Sequence, residues 1–350
     1  MSPTPAERTI VRPKHLAETI VIVDGQQGCG KTLFSLLLPT FCRVELMAYA
    51  YEVEQLSALF ALGKISEDAV IGMIRARTDL HLYNTMMSRE TNFRPADLSS
   101  VWRSTHPWRY LCRLFGQGDS AVPEQIVRQR PILHLTTHNI LAISQPVFAA
   151  FGNRVVFIEI VRHPLYQLRQ QTLNMERLAL DVRNFKIHFE HGGEVYPFFV
   201  AGWEDRYAHA NPVERAIYSF ESMTRETEAA KTAVRARYEA RILTIPFERF
   251  VLDPWPMIAQ MEQVLGTTRT WRTRWQLSRQ HVPRRRVAEG VGYAIYRHCG
   301  WEPPSANTSE REELEKRRAF ALESGASSEA LGVLDQLSSE YQQQYMDGLL

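Results

Sequence analysis

Residues 20–38 read IVIVDGQQGCGKTLFSLLL. The run Ile20–Val23 is continuously apolar and β-branched, which predicts a parallel strand buried on both faces. Gly25-Gln26-Gln27-Gly28-Cys29-Gly30-Lys31-Thr32 follows and fits the spacing G-x-x-x-x-G-K-[ST]. The next residues, TLFSLLL, predict a short helix that Pro39 ends. Strand, glycine-rich turn and helix in that order make a phosphate cradle. The glycines let successive backbone N–H groups turn towards an anion, and the helix start adds positive potential. Lys31 adds a mobile charge. Gln27, Gly28, Cys29, Gly30, Lys31 and Thr32 are therefore candidate nucleotide-binding residues, and Lys31 is also a candidate catalytic one. Asp24, just ahead of the loop, reads as a turn residue and not as a metal ligand.

Three more strands are predicted outward from the loop: PILHLTTH (131–138), RVVFIEIV (154–161) and ILTIPF (242–247). Pro164 starts the helix after the third strand of the chain. Strands alternating with helical stretches place the chain in the α/β class, with a parallel sheet flanked by helices. Residues 51–90 read as mostly helical and 91–130 as an insertion without sheet. Residues 139–150 fit either helix or loop. FKIHFEHGGEVYPFFV (185–200) reads as a β-hairpin turning at Gly192-Gly193. Helices are expected over 212–239 and 254–265, and then an Arg-rich loop. The domain plan is a loose arm over 1–17 and a single P-loop domain over 18–350. That domain carries an insertion at about 50–130 and C-terminal helices at about 305–350.

Composition limits the function. The 350 residues are 45% hydrophobic and 23% charged, which excludes disorder or a coiled coil as the main architecture. A net charge of +2 argues against a non-specific nucleic-acid binder. Only six of the 41 basic residues are lysine. Arginine, the rest, suits two-pronged capture of phosphate or sulfate. The four cysteines, Cys29, Cys42, Cys112 and Cys299, show no C-x-x-C pair and suit a reducing compartment. The first residues lack the apolar core of a secretory signal, and no 18-residue apolar run occurs. The expectation is a soluble, cytoplasmic protein with no membrane span and no nucleic-acid partner.

Two polar stretches follow predicted strands: Thr136-Thr137-His138-Asn139 and Arg162-His163-Pro164. Ligands of open α/β sheets bind beyond the carboxyl ends of the strands, so both stretches point to the crevice of Lys31. Histidine is the side chain most suited to taking a proton near neutral pH, and His138 is the candidate general base. Arg162 offers a planar fork to a phosphate. His134 alternates inward and reads as structural, and Glu248 as holding the turn after the fourth strand. His188 and His191 fall on opposite faces of a regular strand and should not share a metal. Trp102, Trp108, Tyr110 and Trp203 suit either stacking on a sugar or core packing.

The stretch ILHLTTHNILAISQPVFAAFGNRVVFIEIVRHPLYQL (132–168) resembles the sulfotransferase superfamily. There one strand ends in Lys-Thr-His and the next in Arg-x-Pro before a helix. ILTIPFERFVLDPWPMIAQMEQVLG (242–266) looks like that family's next strand, turn and helix. Arg284-Arg285-Arg286 with Gly290 and Gly292 is weakly similar to its basic glycine loop. The family's loop is usually Pro-Lys/Arg-Ser-Gly-Thr-Thr, so here the charge has moved three residues along, to Lys31. Where the family usually has a 3′-phosphate-binding serine, this chain has Gln170. The resemblance implies 3′-phosphoadenosine 5′-phosphosulfate as co-substrate, bound also by Arg162, Gln170 and Arg285. It implies in-line transfer of a sulfuryl group to a hydroxyl of a sugar or other small acceptor, with His138 as base and no metal. Two alternatives stand beside it. One is a small-molecule or sugar kinase using ATP with magnesium, which the Walker-like Lys31-Thr32 suits. The other is a non-catalytic nucleotide-binding protein.

Overall fold

Ile20–Val23 lies at the centre of the sheet, as its unbroken apolar character predicts. The computed structural model describes residues 8–104, 106–116, 118–177, 181–182, 184–291, 297 and 308–347. In it β1 (Thr19–Asp24) lies between β3 (Ile132–Thr136) and β4 (Val155–Val161). The outer strands are β2 (Ala48–Tyr49), beside β3, and β7 (Arg241–Pro246), beside β4. All four pairings are parallel. This order carries the ends of β3 and β4 to either side of the loop that leaves β1.

Alternate side chains of β1 serve two cores. Ile20 and Ile22 pack with Leu133, Leu135 and Phe157 against α2 (Tyr51–Ala61), α3 (Glu67–Met86) and α6 (Gln145–Phe151). Val21 and Val23 pack with Val156, Ile158 and Ile245 against α1 (Lys31–Leu37), α10 (Phe247–Leu252) and α11 (Trp255–Leu265). Each large apolar side chain taken fully out of water contributes about 1.5–3 kcal/mol. A third core joins α7 (Pro164–Arg177) and α9 (Pro212–Arg237) to two C-terminal helices, Glu310–Glu323 and Ser328–Tyr345. Pro212 stands in the first turn of α9, where Asn211 and Glu214 form a capping box.

Several boundaries differ from the sequence reading. The second strand of the sequence reading stops at Thr136, and His138 lies beyond the sheet. The fourth stops at Pro246, and Phe247 opens α10. β2 was not expected, because two residues are too short to show a period. Residues 139–150 combine a 3₁₀ turn, Ile140–Ile143, with α6. Between β2 and β3 the described residues form only helices and loops, including α4 (Pro107–Leu114) and α5 (Val122–Gln129). β5 (His188–His191) and β6 (Glu194–Pro197) make an antiparallel hairpin. Gly192 and Gly193 both have positive φ, 61° and 86°, as a two-residue hairpin turn requires. A short α8 (Glu204–His209) leads on to α9, and α12 (Trp271–Arg279) joins Thr40 through the Thr273 hydroxyl.

Residues 8–17 form no helix or strand but are tied down. Asp79 accepts the N–H groups of Leu16 and Ala17 and pairs with Arg12, while Asp68 accepts the N–H of Ile10. The first seven residues of the expected arm, Gly292 and Cys299 lie outside the described residues. Among the described residues no helix is long and apolar enough to cross a membrane.

Candidate functional site

The loop after β1 needs its glycines for two separate reasons. Gly25, Gly28 and Gly30 have φ of 143°, 84° and 98°, where L side chains are strained. Space is also lacking: a Cβ on Gly25 would lie 2.4 Å from the Ile160 carbonyl oxygen, and one on Gly30 2.3 Å from the Phe247 ring. Gly30→Ala is therefore expected to destabilise the fold by roughly 1–3 kcal/mol. Denaturant unfolding measures this, and a variant as stable as wild type would contradict the packing described.

Lys31, the first residue of α1, is buried and curls back on its own loop. Its ammonium donates to the carbonyls of Gly25 (2.5 Å) and Gln26 (3.0 Å), and lies 3.9 Å from Cys29 Sγ. Cys29 is itself buried, and burial raises its thiol pKa. Asp24 is the last residue of β1, not part of the turn, and its carboxylate holds a distant segment. It accepts the N–H groups of Ile140 (3.1 Å) and Leu141 (2.9 Å) and the Thr137 hydroxyl (2.8 Å). Those bonds fix the segment after β3, and with it His138.

His138 meets a partner that no sequence spacing signals. Glu54 Oε1, in α2, accepts the His138 backbone N–H at 2.9 Å and lies 3.0 Å from Nδ1. In a neutral ring, a carboxylate there favours the tautomer with its proton on Nδ1 and Nε2 as acceptor. The ring also lies nearly parallel to Tyr49 and Tyr51, with centroids 6.4 Å away in each case.

Arg162, just past β4, donates from Nη1 to the Gly28 carbonyl at 2.9 Å. Its guanidinium lies over the rings of Phe247 (4.5 Å) and Tyr166 (5.3 Å). Its buried Nε has no hydrogen-bond partner among the described residues. Burial lowers the arginine pKa, and Glu248 opposes that shift. Glu248 is buried at the start of α10, where it accepts the His163 N–H (3.1 Å) and the Tyr341 hydroxyl (2.5 Å). The last helix braces this corner further. Gln342 Nε2 lies 3.0 Å from His163 Nε2, and Arg249 donates to the carbonyls of Tyr345 (2.6 Å) and Asp347 (3.0 Å).

A cavity of about 730 Å³ opens over the loop, large enough for a nucleotide with part of an acceptor. It brings together Gln27, Gly28, Gly30, Lys31, Thr32, His138, Arg162 and Gln170. The side chain of Cys29 turns from it into the core. Arg285 is exposed and does not line the cavity; its neighbour Arg284 does, with its guanidinium 5.4 Å from the centre of the Phe247 ring. Arg286 turns instead to Glu289 and the Thr308 carbonyl. Of three consecutive basic residues, pattern alone does not say which faces inward. The aromatic lining is Tyr49, Tyr51, Phe185 and Phe247, not Trp102, Trp108, Tyr110 or Trp203. Tyr110 is buried, donating to Glu45. Lys31, Arg162, Arg177, Lys186 and Arg284 face the cavity against Glu54, Asp181 and Glu289, so it favours anions.

No model of a known protein family matches the chain, and no curated protein matches it. Solved structures do. The sulfotransferase domain from the curacin biosynthetic pathway is 13% identical with a TM-score of 0.44, over 91% of this chain and 97% of that one. Sulfotransferase STF9 from Mycobacterium avium is 14% identical with a TM-score of 0.42, over 94% and 77%. The sulfotransferase domain from the Synechococcus PCC 7002 olefin synthase is 14% identical with a TM-score of 0.39, over 90% and 98%.

Proposed function

We propose that the protein is a sulfotransferase, moving a sulfuryl group from 3′-phosphoadenosine 5′-phosphosulfate to a hydroxyl of a small molecule or glycan. One observation carries the reading: the glycine loop with Lys31, the Glu54–His138 pair and Arg162 line a single cationic cavity. The donor set suits this nucleotide. The loop offers backbone N–H groups to its diphosphate-like end, and Arg162 has an unpartnered Nε for the 3′-phosphate.

His138 Nε2 takes the proton of the acceptor hydroxyl, and Glu54 holds the ring in the tautomer that allows it. The acceptor oxygen forms its bond to sulfur as the bond from sulfur to the phosphate oxygen breaks in line. The electron pair of that bond stays with the leaving adenosine 3′,5′-bisphosphate. Lys31 and the loop N–H groups stabilise the charge gathering on the leaving phosphate.

The kinase reading draws support from Thr32, which lines the cavity beside Lys31. Against it, the carboxylates near the loop are engaged. Both oxygens of Asp24 accept hydrogen bonds, and Glu159 Oε2 accepts from Lys231 (3.0 Å) and Thr244 (2.5 Å). Thermal unfolding separates the two. Adenosine 3′,5′-bisphosphate is expected to raise the melting temperature without Mg²⁺, and ADP to do so less. Mg²⁺-dependent stabilisation by ADP with no response to the bisphosphate would favour the kinase.

A further inference from the structure

We infer that Lys186 is a second catalytic ammonium, which contacts the transferred sulfuryl group. The inference rests on the sulfotransferase reading and adds a residue that neither motif nor spacing marks. Lys186 lines the main cavity and also a small adjoining one, where its neighbours include Gln27 of the loop, Glu54 and His138. It therefore borders the same space as Gln27 of the loop and the proposed base, the space that a group passing from phosphate to acceptor would cross.

The segment that carries Lys186 is fixed at both ends. Gln55 of α2 donates to the Phe185 carbonyl at 2.8 Å, and the Phe185 ring meets Tyr51 edge-on at 5.7 Å. On the other side the Phe198 N–H donates to the Ile187 carbonyl at 3.0 Å. The ammonium itself makes no hydrogen bond or ion pair among the described residues. The centre of the Phe199 ring lies 5.3 Å from Nζ. Lys231, by contrast, is buried between Glu159 and Glu228. Lys186 is half-buried and open to the cavity, so an anion bound there would meet an ammonium that no carboxylate pairs with directly. Burial lowers the Lys186 pKa to about 8, with Glu54 acting upwards and Lys31 downwards. At neutral pH the group is still charged, and it competes for no carbonyl of its own, unlike Lys31.

Calorimetry with two nucleotides tests this without an acceptor. 3′-Phosphoadenosine 5′-phosphosulfate carries the sulfuryl group and adenosine 3′,5′-bisphosphate lacks it. Lys186→Met is expected to weaken the first by about tenfold or more, the size of one charge-assisted hydrogen bond, and to leave the second unchanged. Lys186→Arg, which keeps the charge, should recover part of the difference. Equal weakening of both nucleotides, or of neither, would overturn the assignment while leaving the sulfotransferase reading intact. A wild type that binds neither nucleotide would overturn both. A melting temperature of Lys186→Met within a few degrees of wild type shows that the comparison is made on folded protein.

Discussion

Lys31→Ala is expected to lower turnover by roughly 100- to 1,000-fold, the loss typical of one well-placed electrostatic stabiliser. The side chain now bonds to two carbonyls of its own loop, at Gly25 and Gln26. To act on a leaving phosphate it must exchange at least one of them for an anion oxygen. That exchange favours the state with the most negative charge, so the loss should fall on kcat more than on nucleotide affinity. The alanine variant also loses the bonds that close the loop, and a stability loss of about 1–3 kcal/mol should accompany the kinetic one. Lys31→Arg should rescue poorly, because a guanidinium is wider and differently hydrated. Steady-state kinetics with denaturant unfolding on the same samples separates the two effects. Near-normal turnover in the alanine variant would make the loop purely architectural.

His138→Ala should cost about 100- to 10,000-fold in turnover, the range for removing a general base. Nucleotide affinity should stay close to wild type, since in the proposed mechanism His138 meets the acceptor and not the nucleotide. Glu54→Gln provides the internal control. It keeps a side chain of the same size at Nδ1 but removes the charge that fixes the tautomer, so it should lower kcat by less than the alanine variant does. Full activity with lost nucleotide binding in His138→Ala would move His138 into the nucleotide pocket and end its role as base.

What the sequence revealed and what it hid divide along a physical line. β1, its loop and α1 are local: a continuous apolar run, obligatory glycines and a helix are adjacent in the chain. His138 and Arg162 are legible for a related reason. Each follows directly on a buried strand, and the ends of parallel strands share one edge of the sheet. Glu54 and Lys186 are not legible. Their places depend on how α2 and the segment before the hairpin pack across the strand ends, and packing leaves no period in the sequence. Arg284 and Arg285 mark the boundary between the two cases. The basic loop is visible in the sequence, but which arginine turns inward is set by the Phe247 ring and the backbone around Val287.

The helix Ser328–Tyr345 reaches Arg162 through Tyr341, Gln342 and the carbonyl bonds to Arg249. This gives the site an order in time. A ribosome makes the chain from one end, at about 5–20 residues per second, so roughly 10–40 s separate Arg162 from the residues that brace its corner. During that interval the strands can pair and the loop can form, but Glu248 lacks its tyrosine and His163 its glutamine. A nascent chain is therefore a sheet with an unbraced phosphate corner. The corner proposed to hold the nucleotide is braced only once the helix Ser328–Tyr345 has been made.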